Sequence, residues 1–458
     1  MRAALFLPCA ALVLAGCASP GPQDAAGQVA ALVRERTGAT PRLAGPESAA
    51  LDREIDALLA APLAMDSAVH IALLKHPGLQ ASYWEVGIAQ ADLAQAARLR
   101  NPSLGLSRLS GNGGVEIERA VSIDVAGLLT MPLRRRMETR RFEAARLSVA
   151  GAIEGHALAT RKAWIEAVAA QESLAYARQV NAATEAGAEL MGRMAKAGNA
   201  SALDVAREQA AHAEAAAGVL RASRAAGAAR EHLTRQLGLW GAQAGYTLPE
   251  RLPALPAAPR ELARIEALAL ERRLDVQAAR LAAQHTAADL GLTRTTRFVN
   301  VLDLGYHNKS ETGADRANGY EIGLELPLFD WGGARVARAE AVYMQAVQRV
   351  ADTAITARSE AREAYLGYRA GYDLARHYRD EVIPLRRKIG DETLLRYNGM
   401  LASPFELLAD AREQAQAVSG AIDALKEFWL AEAALEGALG GRLDGPAHQP
   451  TNSKEEQQ

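Results

Sequence analysis

YNGMLASPFELLAD, residues Tyr397 to Asp410, lies where one strongly helical segment stops and another starts. Asn398 and Gly399 supply a helix stop, Ser403 a cap, and Pro404 a first-turn residue. Glu406 follows Ser403 at the spacing of a capping box. The stretch is therefore predicted to be the tip of a helical hairpin. Its incoming arm begins near Gly333 and its outgoing arm ends near Gly440, which makes the tip the far end of a rod.

The same design occurs twice in the chain. Gly198-Asn199 ends an earlier helix predicted over 132–197, and a return arm follows over 201–239, with Gly198 preceding Gly399 by 201 residues. Ala206-Arg207-Glu208-Gln209 recurs as Ala411-Arg412-Glu413-Gln414, and the Leu79-Gln80-Ala81 region resembles Val276-Gln277-Ala278. An internal repeat at this period makes each half a unit of helix, strand pair and tall helical hairpin. A helix of the length predicted over 132–197 would extend on the order of 100 Å if unbroken. In the second hairpin Pro384 is expected to kink or break the arm. Apolar residues in that arm keep a three-four spacing from Tyr343 through Val347, Ala354 and Ala361 to Tyr368. Alanine seams bury little area per residue, so they favour an assembly in which each helix has neighbours on both sides.

Before each hairpin the period changes from helical to alternating. Val115, Ile117, Val121, Ile123 and Val125 are apolar, with Glu116, Glu118, Ser122 and Asp124 between them. Gly111 to Gly114 joins this run to Ser103–Ser110, a hairpin signal. In the second half, strands are expected over 298–307 and 320–327. One apolar face and one carboxylate-bearing face fit a barrel between lipid and water, although a half-buried soluble sheet alternates in the same way. Four strands left open in lipid would expose unpaired edges, so a spanning sheet must close, and closure requires copies of the chain. Three copies give twelve strands.

The remaining sequence bounds the class. With 458 residues, 49% hydrophobic and a formal net charge of −2, the chain offers no basic excess to nucleic acid. Residues 1–16 read as a signal peptide, with an apolar run too short to span a bilayer. Leu14-Ala15-Gly16-Cys17 matches a bacterial lipobox, which makes Cys17 the expected site of a covalent lipid and the first mature residue. Of the two cysteines, Cys9 lies in the segment to be removed, so no intrachain disulfide is expected. Residues 17–62 read as a lipidated, extended leader, 63–248 as the first repeat, 249–259 as a Pro-rich linker, 260–441 as the second repeat, and 442–458 as a disordered tail. Helix is expected from Asp66 as cap to Arg100, interrupted at His76-Pro77-Gly78, and again over 260–297.

Taken together, the duplicated strand pairs and hairpins, the lipobox and the two tip sequences resemble the TolC-like outer-membrane efflux family over residues 66 to about 440. Leu326-Pro327-Leu328-Phe329-Asp330 followed by Trp331-Gly332-Gly333 also resembles that family's exit from its last strand. The resemblance implies a mainly α fold with a small β part, assembled as a homotrimer with a 12-stranded β-barrel continued by a helical barrel. It implies an exit duct in the outer membrane of a Gram-negative bacterium, with helices in the periplasm. The partners so implied are a periplasmic adaptor protein, an inner-membrane pump and outer-membrane lipid, and no cofactor besides the lipid on Cys17. Gly198, Asn199, Asn398, Gly399 and Met400 would be the adaptor-docking tips. Asp204, Glu406 and Asp410 would line the pore aperture; helix-start acids answering the macrodipole are the plainer reading of the same residues.

No catalytic constellation competes. His70 and His76 are six residues apart, off a common helical face, and Gly111 to Gly114 is too short to cradle phosphate. Met191 and Met194 have the spacing to touch a soft metal ion, but packing is the commoner use of such side chains. A periplasmic adaptor or a structural envelope lipoprotein are the rival classes, and neither calls for two hairpins each preceded by a strand pair.

Overall fold

The computed structural model of the chain describes residues 22–42, 48–111, 114–298, 301–325 and 328–443. In chain order its elements begin with α1 (Pro22–Thr37), α2 (Ser48–Leu59), α3 (Met65–Lys75) and α4 (Pro77–Ala96). The first strands and hairpin follow as β1 (Ser103–Gly111), β2 (Gly114–Asp124), α5 (Val125–Lys196) and α6 (Ala202–Leu237). The second half is α7 (Ile265–Arg272), α8 (Leu274–Thr295), β3 (Leu302–Glu311), β4 (Ala317–Leu324), α9 (Gly333–His377), α10 (Ile383–Asn398) and α11 (Pro404–Ala438). Two compact units result, one built mainly on Ala81–Gly151 and Leu274–Thr356, the other on Ala30–Gln80, Ala152–Arg273 and the chain from Ala357 on.

In the first unit the two strand pairs are one sheet. Its order is β1-β2-β3-β4, and every neighbour is antiparallel, with β2 paired to β3 across the repeat. The expected turn residues Asn112 and Gly113 lie outside the described residues. β3 and β4 depart from the expected 298–307 and 320–327. Helix α8 runs on to Thr295, and pairing of Glu116 with Glu311 carries β3 through the polar run Asn308-Lys309-Ser310. Neighbour pairing, not the strand's own alternation, sets that boundary.

Helix α5 starts at Val125, seven residues before the expected Pro132, which therefore lies inside it. Asp124 Oδ1 accepts from the Gly127 N–H at 2.5 Å, so the last residue of β2 satisfies a donor in the first helical turn. Arg134 donates to the Gly127 carbonyl, near the turn that Pro132 leaves without a donor.

In the second unit the described part of the leader, within 30–42 and 48–62, is mostly helical and packed, not extended. Val33 and Ile55 are fully buried, and Arg36 Nη1 donates to the carbonyls of Arg272 (2.7 Å) and Gly440 (2.8 Å). The helix expected over 260–297 is two helices. Residues 260–264 are not helical, with Arg264 at φ 56 and the Arg260 N–H donating to Tyr368 Oη at 2.9 Å. The break after Arg272 leaves the carbonyl that Arg36 caps. Asp66 is not the cap of α3: Ala64 occupies that position, and Asp66 sits in the first turn within 3.3 Å of Arg442.

As expected, the α-helical arm is interrupted, α9 ending at His377 and α10 starting at Ile383, next to Pro384. A five-residue π turn, Tyr378–Val382, precedes it and absorbs the missing donor. Tyr378 lies on α11 at Gly420, where a Cβ would meet its hydroxyl at 2.7 Å. Around the arms, Ile71, Trp164, Ile165, Leu233 and Leu237 form one core cluster, with Trp164 Nε1 donating to the Leu63 carbonyl at 2.7 Å. Tyr368, Tyr372, Phe428 and Leu435 form another. The alanine seam of α9 enters the latter, with Ala361 and Tyr368 buried.

Candidate functional site: two tips and a two-faced sheet

Both tips are built by paired stop and start signals. At the first, Gly198 takes φ +79 and the Asn199 N–H reaches back to the Met194 carbonyl at 2.8 Å, a Schellman stop. At the second, the Leu401 N–H reaches the Arg396 carbonyl at 2.8 Å in the same way. The left-handed position there falls on Met400, at φ 58, while Gly399 has φ −82. Asn398 and Gly399 thus finish the helix but do not make the turn. Met400 and Leu401 are exposed at 94% and 81%, which makes the tip apolar.

The three acids expected at the aperture have different surroundings. Asp204 closes a full capping box: its Oδ2 accepts from the Ser201 N–H (3.1 Å) and hydroxyl (2.6 Å), while Ser201 Oγ accepts from the Asp204 N–H (3.2 Å). The Ser201 hydroxyl, then its backbone N–H, holds the Asp204 carboxyl below its ordinary range, with Arg207 adding a smaller pull. Asp410 accepts from the Thr393 hydroxyl on the facing arm. Glu406 is exposed; Ser403 Oγ accepts from its N–H at 3.2 Å, but its carboxylate does not complete the expected box. No hydrogen bond joins any two of the three among the described residues.

Sequence reading missed how the hairpins meet. Arg412 on α11 donates to Glu208 on α6, and Glu208 is buried. Leu408 Cδ2 lies where a Cβ on Gly187 of α5 would be 3.1 Å away. A second buried pair joins Arg161 on α5 to Glu436 on α11. These partners are hundreds of residues apart or nearly so, and nothing local marks them. Met191 is fully buried, as packing requires. His70 bonds Glu54 at 3.1 Å, while His76 stacks against His156 with ring centroids 4.2 Å apart.

The sheet has two contrasting faces. Register places Leu104, Val121, Ile123, Leu304, Tyr306, Tyr320, Ile322 and Leu324 on one side. All eight are exposed, Tyr320 at 84%, which is unusual for a contiguous apolar surface. The opposite side carries Glu118, His307 and Glu321, with His307 Nδ1 2.9 Å from Glu118 and its Nε2 bonded to Glu321. Lys309 pairs with Glu116 at 2.8 Å beside them. β1 and β4 are edge strands with no outer partner among the described residues. Among those residues, no helix is long and apolar enough to cross a membrane. Cys17 lies outside the described residues.

Comparison with known proteins was informative at the level of structure alone. No protein-family model and no curated protein matches the chain. A membrane protein from Pseudomonas aeruginosa superposes with TM-score 0.70 at 21% identity, covering 82% of this chain and 93% of that one. The outer membrane protein VceC of Vibrio cholerae gives 0.69 at 18%, covering 82% and 96%. The open-state Neisseria gonorrhoeae MtrE outer membrane channel gives 0.68 at 17%, covering 82% and 89%. The chain has the fold of these proteins, and the resemblance read from its repeats holds at that level.

Proposed function

We propose that this chain is one protomer of a TolC-like outer-membrane efflux duct and has no enzymatic role. The observation that carries this reading is the sheet, with an exposed apolar face, a charged opposite face and two open edges. An open edge in hydrocarbon costs several kcal/mol for each unsatisfied backbone group, so the sheet must be closed by copies of itself. Three copies make a 12-stranded barrel with Tyr320 and its neighbours toward lipid and Glu118, His307 and Glu321 toward water. The helical hairpins of the three copies form the periplasmic continuation.

In this reading Cys17 carries the lipid that anchors the mature N-terminus. The tips at Gly198-Asn199 and Asn398-Gly399-Met400 dock a periplasmic adaptor, and through it an inner-membrane pump delivers the cargo. The exposed Met400 and Leu401 support the docking role. Glu406 supports the aperture role best, because its carboxylate is exposed and free of the capping and hydroxyl contacts that occupy Asp204 and Asp410.

The test is outer-membrane fractionation combined with electrophoresis of heated and unheated samples. A barrel-forming trimer is recovered with the outer membrane and migrates differently before and after boiling. A periplasmic adaptor or structural lipoprotein forms no barrel, so identical migration would reject the duct.

A further inference from the structure

At one end of the sheet, marked by Ser103, Asp124, Leu302 and Leu324, the chain passes between strands and the helices α4, α5, α8 and α9. These helices are tied together along their lengths beyond that end. Arg141 on α5 lies 3.6 Å from Asp92 on α4, Arg140 donates to the Gln284 carbonyl on α8 at 3.0 Å, and Arg294 on α8 pairs with Glu340 on α9. The crossings bring two kinds of side chain to one level. Leu99, Leu129, Phe298, Leu328, Phe329 and Trp331 are exposed, Phe329 completely, and the Phe298 and Trp331 rings meet edge to face at 6.4 Å.

Interleaved with them are arginines. Arg100 adjoins Leu99 and pairs with Asp124 at 3.1 Å, Arg135 and Arg136 follow Leu129 by less than two turns, and Arg338 lies in the second turn of α9, seven residues after Trp331. The Arg297 guanidinium lies over the Phe298 ring, 4.3 Å from its centroid. Arg135, Arg136 and Arg338 are exposed and form no ion pair among the described residues. The charged face of the sheet differs: its carboxylates Glu116, Glu118, Asp303 and Glu321 lie among Lys309 and His307, which pair with three of them.

We infer that this collar binds the headgroups of anionic phospholipid. Apolar and aromatic side chains at the rim of a membrane-spanning sheet seat themselves at the hydrocarbon boundary, and arginines one or two turns beyond them reach the phosphate level. A bidentate guanidinium suits phosphate oxygens, and a cationic side chain beside an anionic surface favours it by roughly fivefold per charge. The arginines recur at the crossings from strand to helix instead of forming one patch. That distribution follows a bilayer surface and not the footprint of a single protein.

This inference rests on the sheet spanning a bilayer, and the experiment separates the two. The full-length assembly is reconstituted into vesicles of dibrominated phosphatidylcholine, or of a mixture with dibrominated phosphatidylglycerol. Quenching of Trp331 is taken as the difference from the Trp331→Phe protein. Phosphatidylglycerol is expected to compete several-fold better than phosphatidylcholine for the site beside Trp331. The preference is expected to fall to near unity in Arg135→Gln/Arg136→Gln/Arg338→Gln and to survive in the matching triple lysine variant. Equal quenching by both lipids, or an unchanged preference in the glutamine variant, would overturn the anionic collar alone. Absence of quenching by either lipid would overturn the membrane-spanning reading as well.

Discussion

Arg412 on α11 donates to the carboxylate of Glu208 on α6, joining the outgoing arms of the two hairpins by a charge-assisted bond. The Glu208 side chain is only 6% exposed while that of Arg412 is 42% exposed, so the two ends are not equivalent. Removing the arginine strands a carboxylate in the packing, whereas neutralising the glutamate leaves an arginine that water can still reach. Arg412→Met is therefore expected to destabilise the helical unit by about 1–3 kcal/mol, and Glu208→Gln by less. Urea unfolding followed by helical circular dichroism measures both. Equal losses, or a larger one for Glu208→Gln, would contradict this asymmetry.

Gly332 should not tolerate a side chain. It has φ +75, and a Cβ there would lie 2.8 Å from the Arg297 carbonyl and 3.1 Å from Arg297 Cβ. Its N–H donates to Asp330 Oδ1 at 2.8 Å, which fixes the turn into α9. Two independent penalties, a left-handed backbone and a clash with main chain, predict that Gly332→Ala costs on the order of 2–4 kcal/mol. Neighbouring Gly333 has open space around it, so Gly333→Ala is the control. Comparable yields of folded assembly from the two variants would argue against the steric account.

The parts of this architecture that rest on local chemistry were legible in the sequence. Ser201 and Ser403 cap the outgoing arms as their positions suggest, because a side-chain oxygen followed by a helical run has few other uses. Alternation through β2 revealed its two faces for the same reason. What the sequence hid depends on distant partners. The end of β3 is set by its pairing with β2, and the Glu208–Arg412 bond spans 204 residues. Even the repeat was misaligned locally: the caps are 202 residues apart, so Glu208 corresponds in position to Asp410 and not to Glu413. The second turn hid too, because Gly399 is the obvious left-handed residue but Met400 follows the last helical carbonyl that needs closing.

Stability of the helical unit is expected to fall on mild acidification. His76 and His156 face each other, and burial lowers the affinity of each for a proton; for His156 the neighbouring His76 lowers it further, against a bond to the Gln236 carbonyl that raises it. Both rings are neutral in the folded chain at pH 7, and the unfolded chain binds their protons first. Stability is thus fully present above the ordinary histidine value near 6.5 and lost as pH falls below it. His76 Nδ1 is buried without a hydrogen-bond partner among the described residues, so His76→Leu removes a titrating group without breaking a bond at that nitrogen. The wild-type midpoint is expected to drop roughly 2–4 °C between pH 7.5 and 5.5, and that drop should shrink in His76→Leu. Thermal scans at the two pH values decide it, and an equal drop in both proteins would clear the histidines.

Asp204 and Glu406 occupy matching places after their caps yet should respond oppositely to neutralisation. Asp204 is held below the ordinary carboxylate value by Ser201, so its contribution is present above about pH 4 and is lost as pH falls through its lowered folded value. At neutral pH, Asp204→Asn should speed hydrogen exchange at the first turn of α6, because the reciprocal bond to the Ser201 N–H weakens. Among the described residues Glu406 has no such bond to lose, and its N–H is already held by Ser403. Glu406→Gln should therefore leave exchange at the start of α11 unchanged. In a closed ring its charge repeats around the axis and attracts cations, so the same substitution should reduce block by divalent cations in planar bilayers. A variant that frays the second tip without altering block would show that Glu406, like Asp204, is there to start a helix.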